Sequence, residues 1–136
     1  MLVTSEEWAR KRGIEPLATI LSQGYVADDF AYLARTPARA GGMALERAGK
    51  TIGDVERVEI NEAFSSVAWN STKLLGADEA DVNVNGGAVA LGHPIGASGG
   101  RIVGTMVHEL RRNGGGLGLA AICSGGGQGD AILIEV

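Results

Sequence analysis

Apolar residues recur along the chain with two different periods, and the change from one period to the other marks the predicted elements. Residues 55–60 alternate between apolar and polar side chains, which predicts a strand. Residues 117–123 are apolar on both faces, as a central strand is. Residues 64–75 and 95–113 instead place apolar side chains at helical spacing. This alternation of strand and helix is typical of an α/β protein.

The remaining segments complete the order of elements. Thr4 and Glu7 form a capping box that predicts a short first helix, which Gly13 would end. We interpret residues 1–13 as a connector helix from an upstream part of the protein. Residues 28–35 are expected to form a loop. Four segments have the composition of strands or of a helix: a strand at 17–26, a helix at 36–49, a brief strand at 81–85 and a last strand at 131–136.

The resulting order is βαβαβαββ, in one domain that spans residues 14–136. We expect a mixed, mostly parallel sheet flanked by helices, with one antiparallel partner at the end, because the loop before the last strand is too short for a helical crossover. Gly41 and Gly42 would weaken the helix at 36–49 unless a neighbour packs closely against it.

Three polar side chains lie at equivalent ends of successive elements. Asn61 follows the strand at 55–60 as the N-cap of the next helix, His93 lies in a Gly-His-Pro turn, and Cys123 ends the strand at 117–123. Taken singly, each has an ordinary structural explanation as a helix cap, a turn histidine or a buried thiol. Ligands of open α/β sheets, however, bind beyond the carboxyl ends of the strands. The three residues together predict one site that holds an amide, an imidazole and a thiol.

The glycines after Cys123 indicate carbonyl chemistry at this site. Gly125, Gly126 and Gly127 can direct backbone N–H groups toward an anion or a developing oxyanion. Phosphate binding is the alternative use, but neither GxGxxG nor GxxxxGK[ST] occurs, and these glycines lead into a strand. One cysteine and one plausible histidine do not have the paired spacing of a metal site, so we expect no metal and no bound cofactor.

Composition limits the possible partners and the compartment. The chain has 12 basic and 16 acidic residues and no basic block, which argues against nucleic acid and against an anionic membrane surface as partners. No segment has the composition of a signal peptide or the length of a membrane span. The single cysteine cannot form an internal disulfide. These features predict a cytoplasmic protein.

Three segments resemble the C-terminal signature of the thiolases, the acetyl-CoA acetyltransferases and 3-ketoacyl-CoA thiolases. They are NEAF at 61–64, NGGAVALGHPIGASG at 85–99 and CSGGGQGDA at 123–131, and the flanking sequence is similar to the family as well. The resemblance implies the thiolase fold and acyl transfer in fatty acid metabolism. The reaction would be Claisen condensation of acyl-CoA or CoA-dependent cleavage of 3-ketoacyl-CoA, with coenzyme A as a substrate.

The resemblance also implies a role for each candidate residue. His93 would activate the acyl-accepting cysteine and, with a water held by Asn61, form an oxyanion hole for the thioester enolate. Cys123 would remove or return the α-proton, and the Gly125 N–H would be a donor of the second oxyanion hole. Two further residues would line the channel for the acyl and pantetheine groups: Ala63 and Phe64.

The chain departs from the family in one respect. A thiolase has two similar halves, and its acylated cysteine comes from the N-terminal half. With Cys123 matched to the acid/base role, no second cysteine remains here. We therefore expect a fragment, an expressed domain or one subunit of a split enzyme, inactive alone, that pairs with an N-terminal half and tends to form homo-oligomers. The alternative is a non-catalytic thiolase-fold module for acyl-CoA binding or subunit assembly.

Overall fold

A four-stranded sheet forms the centre of the computed structural model, which describes all 136 residues. Its strands are β1 (Thr19–Ala27), β2 (Arg57–Ile60), β3 (Leu117–Ser124) and β4 (Gln128–Glu135), in the order β1-β4-β3-β2. β2 and β3 are parallel, whereas β4 runs antiparallel to both of its neighbours. Three strands therefore share one direction, and the last strand is antiparallel to them, as the sequence predicts.

Helices cover both faces of this sheet. The five α-helices are α1 (Glu6–Lys11), α2 (Thr36–Arg47), α3 (Ser65–Leu75), α4 (Ala88–Leu91) and α5 (Ser98–Arg112). Short 3-10 segments precede α2, β2 and α4, at Phe30–Arg35, Ile52–Asp54 and Glu79–Asp81. None of the helices has the length and apolarity that crossing a membrane requires. The mixed α/β architecture predicted from the hydrophobic pattern is confirmed.

The core is split between the two faces of the sheet because successive side chains of a strand point in opposite directions. On one face, α2 packs on the alternate residues Leu119 and Ala121 of β3. On the other face, α5 packs on Ala120 of the same strand. This arrangement explains why β3 is apolar throughout. The predicted apolar face of α5 is confirmed from Ile102 onward, but Ile95 lies before the helix begins and is exposed.

The strand predicted at 81–85 is wrong. A single bridge from Val82 to Val58 joins this segment to the sheet. Asn83 has a left-handed backbone with a φ of 49°, which interrupts an extended conformation. Its side-chain amide takes over the pairing instead: Oδ1 accepts from Ile60 N at 2.8 Å, and Nδ2 donates to Ile60 O at 2.9 Å. A side chain thus closes the free edge of β2.

Two local predictions near the N-terminus also need correction. Residues 28–35 are not a loop throughout, since a 3-10 turn fills most of the segment. Asp28 stabilises it by accepting hydrogen bonds from Arg35 at 2.5 and 2.8 Å, and the same contacts hold the pKa of Asp28 well below its usual range. The cap of α1 is Ser5 rather than Thr4, because the Ser5 hydroxyl accepts from Trp8 N.

Glycines allow α2 to lie very close to the sheet. A Cβ at Gly41 would lie 3.2 Å from the Leu119 side chain, and a Cβ at Gly24 of β1 would lie only 2.0 Å from the Ala40 carbonyl oxygen. Gly42, in contrast, has no neighbour within 4 Å. The expected close packing is therefore present at Gly41 and absent at Gly42.

Candidate active site

Asn61 lies directly beyond the carboxyl end of β2. Its backbone N–H donates to Ala121 O at 2.9 Å, which extends the pairing with β3 by one residue. The predicted helix-cap role is wrong, because α3 begins only at Ser65 with Phe64 in the cap position. The Asn61 side chain is fully buried and faces His93 instead, with Nδ2 at 3.4 Å from Nε2 and 3.5 Å from Nδ1.

His93 is held in the turn between α4 and α5. Gly92 has a φ of 90° and ends α4, so the chain reverses immediately before the histidine. The half-buried imidazole places Nδ1 at 2.6 Å from the hydroxyl of Ser98, a residue that is fully buried at the start of α5. The Ser98 hydroxyl also donates to Pro94 O at 3.2 Å. The imidazole is therefore anchored through Nδ1.

Two charged residues behind Asn61 were missed by the sequence reasoning. Arg101 of α5 donates from Nη2 to Asn61 Oδ1 at 3.4 Å, while its buried Nε and Nη1 have no partner in the chain. Glu59 of β2 is only 3% exposed, and its Oε2 also lacks a partner. Burial raises the pKa of Glu59 to about 7, although the Arg101 charge acts in the opposite direction. The polar position of Glu59 in the alternating strand was the available signal.

Glu62 braces the turn that carries His93. Its carboxylate accepts from Val89 N at 2.9 Å and from Asn83 Nδ2 at 3.0 Å. A Cβ at Gly87 would lie 2.3 Å from the Glu62 carboxyl carbon, so a side chain there would displace this carboxylate. Glu62 of the segment NEAF thus connects this segment with the segment NGGAVALGHPIGASG. The sequence reasoning missed this contact.

Cys123 lies near the end of β3, on the strand adjacent to the one that Asn61 follows. It pairs with Gly129 of β4 and is 8% exposed. Burial raises the pKa of its thiol, so the thiol is protonated at neutral pH. Its sulfur forms no hydrogen bond with Asn61 or His93. The structure thus places all three residues at one end of the sheet, and the side-chain hydrogen-bonding distances among them join the amide and the imidazole.

The turn after Cys123 leaves backbone donors available. The N–H groups of Gly125 and Gly126 donate to no acceptor within the chain. Gly127 holds the turn in place, since its carbonyl accepts from Asp28 N at 2.8 Å. A Cβ at Gly127 would lie 2.3 Å from Asp28 O, and its φ of 72° also favours glycine. The chain can therefore present free N–H groups next to the thiol.

Ala63 and Phe64 lie in the linker between β2 and α3. Ala63 N donates to Asn61 O at 3.0 Å, and the Phe64 side chain is 63% exposed. No group of three or more His, Cys, Asp or Glu side chains in the structure could hold a metal ion. The arrangement can therefore supply an imidazole, an amide, a thiol and backbone donors.

The chain is similar to known proteins in both sequence and structure. Residues 14–136 match the protein-family model described as "Thiolase, C-terminal domain". The chain is 51% identical over 134 residues to the acetyl-CoA acetyltransferase of Shinella zoogloeoides, an overlap that covers 98% of this chain and 34% of that protein. It is 42% identical over 135 residues to the acetyl-CoA acetyltransferase of Schizosaccharomyces pombe, with 99% and 34% covered.

Solved structures give the same result. The crystal structure of the Bacillus anthracis acetyl-CoA acetyltransferase matches with a TM-score of 0.92 at 42% identity, over 96% of this chain and 33% of that one. Human mitochondrial 3-ketoacyl-CoA thiolase matches with a TM-score of 0.93 at 42% identity and the same coverage. The chain therefore spans about a third of the length of the relatives that it matches.

Proposed function

The chain belongs to the thiolase family and corresponds to its C-terminal domain, and on this basis we propose that it contributes half of an active site for thiolase-type acyl transfer. The reaction is Claisen condensation of acyl-CoA or the reverse, CoA-dependent cleavage of 3-ketoacyl-CoA. The substrates are acyl-CoA and coenzyme A, which the names of the matched relatives support.

The observation that carries the proposal is the contact between Asn61 and His93 at the sheet edge where Cys123 also lies. The Asn61 backbone already completes the pairing of β2 with β3, so the fold does not require the Asn61 side chain to contact a histidine. Asn61 Nδ2 nevertheless lies 3.4 Å from His93 Nε2. Free N–H groups of Gly125 and Gly126 lie beyond the thiol on the next strand. Preorganised donors of this kind stabilise an oxyanion and are usually the largest contribution to acyl-transfer catalysis.

In the cleavage direction, an acyl-accepting thiolate attacks the 3-keto carbonyl carbon of the substrate. The bond between C2 and C3 then breaks, and its electron pair becomes the enolate of the departing acyl-CoA. We propose that His93 accepts the proton of the attacking thiol and, with a water held by Asn61, stabilises the enolate oxygen. The Gly125 N–H would stabilise the oxyanion that forms at the carbonyl under attack.

Cys123 is proposed to complete this step by giving its proton to C2 of the enolate. Burial raises the pKa of this thiol, so it is protonated and ready to act as an acid at neutral pH. In condensation the same sulfur must first lose its proton in order to remove one from the α-carbon. Since Cys123 is the single cysteine of the chain, the acylated thiol would come from an N-terminal half.

Ala63 and Phe64 are proposed to line the channel for the acyl and pantetheine groups. The exposed ring of Phe64 is consistent with a surface that substrate or another part of the enzyme covers. Pairing with an N-terminal half, homo-oligomer formation and a cytoplasmic location stay predictions.

The test is CoA-dependent cleavage of acetoacetyl-CoA. The reaction is monitored through the loss of absorbance of the acetoacetyl-CoA enolate. The purified chain should be inactive alone and active when mixed with a matching N-terminal thiolase half. Cys123→Ser should abolish the activity of the mixture, whereas the matched control His108→Asn, at an exposed helix position, should retain it. If the Cys123→Ser mixture stayed fully active, the non-catalytic module would be the correct interpretation.

A further inference from the structure

We propose that three charged residues, Asp28, Arg35 and Arg39, hold the glycine turn at residues 125–127 in the conformation that presents its free N–H groups. These residues, which we call the Asp28 cluster, lie outside the candidate site and act on it through the backbone of the turn. They are therefore positioning residues. The purpose of the cluster rests on the proposed function, whereas its contacts lie entirely within the chain.

The glycine turn has little support of its own. Its two ends are fixed by the pairing of Ser124 with Gln128, but the three residues between them are all glycine, the residue with the greatest conformational freedom. Residues 125–127 form a single hydrogen bond, in which Gly127 O accepts from Asp28 N at 2.8 Å. The orientation of the free N–H groups in this turn therefore depends on one contact outside it.

That contact lies at the end of a strand ladder. The hydrogen bond from Asp28 continues the pairing of β1 with β4 by one residue beyond the last pair, Ala27 with Gln128. Bonds at the ends of elements open readily unless the chain beyond them is held. The two backbones are also closely packed, since a Cβ at Gly127 would lie 2.3 Å from Asp28 O. A displacement of Asp28 would consequently reach the turn.

The Asp28 cluster holds the chain at this point. Arg35 donates to the Asp28 carboxylate from Nε at 2.5 Å and from Nη2 at 2.8 Å, and Arg39 donates from Nη1 at 2.6 Å. Asp29 N donates to the same carboxylate at 2.9 Å. Hydrogen bonds between ionised groups are about twice as strong as neutral ones. Because Arg39 belongs to α2, which packs on the sheet, the carboxylate connects Asp28 to a fixed part of the fold.

The consequence is a set of backbone donors that is oriented before substrate arrives. Donors that need no rearrangement when charge develops on the substrate stabilise that charge most effectively. Without the Asp28 cluster, the strands on either side of the turn would stay paired, but the N–H groups of Gly125 and Gly126 would sample other directions.

Backbone ¹⁵N relaxation of the isolated chain measures these N–H groups directly. We expect order parameters of about 0.8 for Gly125 and Gly126, as in rigid backbone, and values below about 0.6 in Asp28→Asn. Asparagine keeps the size of the side chain and removes the charge that both guanidinium groups contact. Hydrogen exchange at the residue 28 amide, which reports its bond to Gly127 O, should accelerate about tenfold, the weight of one hydrogen bond. Exchange at the buried Leu119 should change much less.

Two comparisons separate this effect from a general loss of charge. Asp81→Asn is the matched control, because it removes the ion pair of another aspartate with an arginine, Arg57, at 2.6 Å. It should leave the order parameters of the turn unchanged. Arg39→Lys keeps a cationic donor and should preserve them, whereas Arg39→Gln should lower them, though less than Asp28→Asn, since Arg35 still contacts the carboxylate.

Unchanged order parameters of Gly125 and Gly126 in Asp28→Asn would overturn the proposal. Equal acceleration of exchange at residue 28 and at Leu119 would also overturn it, because the cluster would then only stabilise the whole fold. These measurements need no substrate and no second half, so they are independent of the acetoacetyl-CoA assay.

The purpose of the cluster is tested in an active mixture with an N-terminal half. Asp28→Asn should lower kcat about tenfold and change KM by less than about twofold, since an oxyanion donor acts mainly in the transition state. An unchanged kcat, together with a mobile turn, would show that the cluster does not serve catalysis.

Discussion

Replacing Glu59 by glutamine should stabilise the folded chain at neutral pH but not at acid pH. The side chain is 3% exposed, and its Oε2 has no hydrogen-bonding partner. Burial raises its pKa from 4.5 to about 7, against the opposing charge of Arg101. Below pH 4.5 the carboxyl is protonated in both the folded and the unfolded chain, so it contributes no pH dependence there.

The direction in which the free energy of unfolding changes with pH follows from proton binding. Between pH 4.5 and about 7 the unfolded chain loses the proton of this residue while the folded chain keeps it, so the free energy of unfolding falls as the pH rises. Above about pH 7 the full penalty is present. At about 1.4 kcal/mol per pKa unit its ceiling is about 3 kcal/mol. Relaxation and nearby water reduce such penalties, and we expect about 1–2 kcal/mol.

Urea denaturation at about pH 4 and about pH 8 tests this prediction. Glu59→Gln should unfold at the same urea concentration as the wild type at the lower pH and at a higher one at the upper pH. The matched control is Glu46→Gln, since Glu46 is exposed on α2 and its carboxylate has no ion pair or hydrogen bond. A gain from Glu59→Gln that is equal at both pH values would refute the reasoning, because ionisation would not be its source.

Three further predictions follow from packing and burial. Gly24→Ala should destabilise the chain by at least about 2 kcal/mol, because the new Cβ would lie 2.0 Å from the Ala40 carbonyl oxygen. A Cβ at Gly42 has no neighbour within 4 Å, so Gly42→Ala should instead stabilise α2 by about 0.5–1 kcal/mol. Urea midpoints that did not separate the two variants would contradict this prediction. Met106→Ala should cost about 2–5 kcal/mol in the same assay, since Met106 is fully buried between α5 and the sheet. Iodoacetamide, monitored by mass spectrometry, should modify the buried Cys123 thiol more slowly in the folded chain than in urea. Equal rates of modification would count against the burial and the raised pKa of this thiol.

The order of elements could be predicted because it depends on local patterns. The apolar run of β3 reflects burial of both faces of the strand, and the helical spacing from Ile102 to Leu110 reflects burial of one face of α5. The segment at 81–85 could not be predicted in this way. Its composition suits a strand, but Asn83 adopts a left-handed backbone and pairs with Ile60 through its side chain. A contact between residues 23 positions apart decided that outcome.

The candidate site, too, could be predicted from the sequence only in part. Asn61, His93 and Cys123 are recognisable in the sequence because each is a polar or reactive residue at the end of an element, and the positions of element ends follow from the pattern. The sequence alone also determined the family resemblance that these residues carry. It did not reveal that Asn61 faces an imidazole rather than caps a helix.

Tertiary structure alone decided which polar groups meet. Arg101 looks like an ordinary helix residue, and its contact with Asn61 depends on how α5 packs against β2. The relevant partners, such as Arg101 and Asn61, are 40 residues apart. The physical reason is that a local pattern encodes which face of an element is buried, whereas the direction of a hydrogen bond depends on the register and depth at which two distant elements pack.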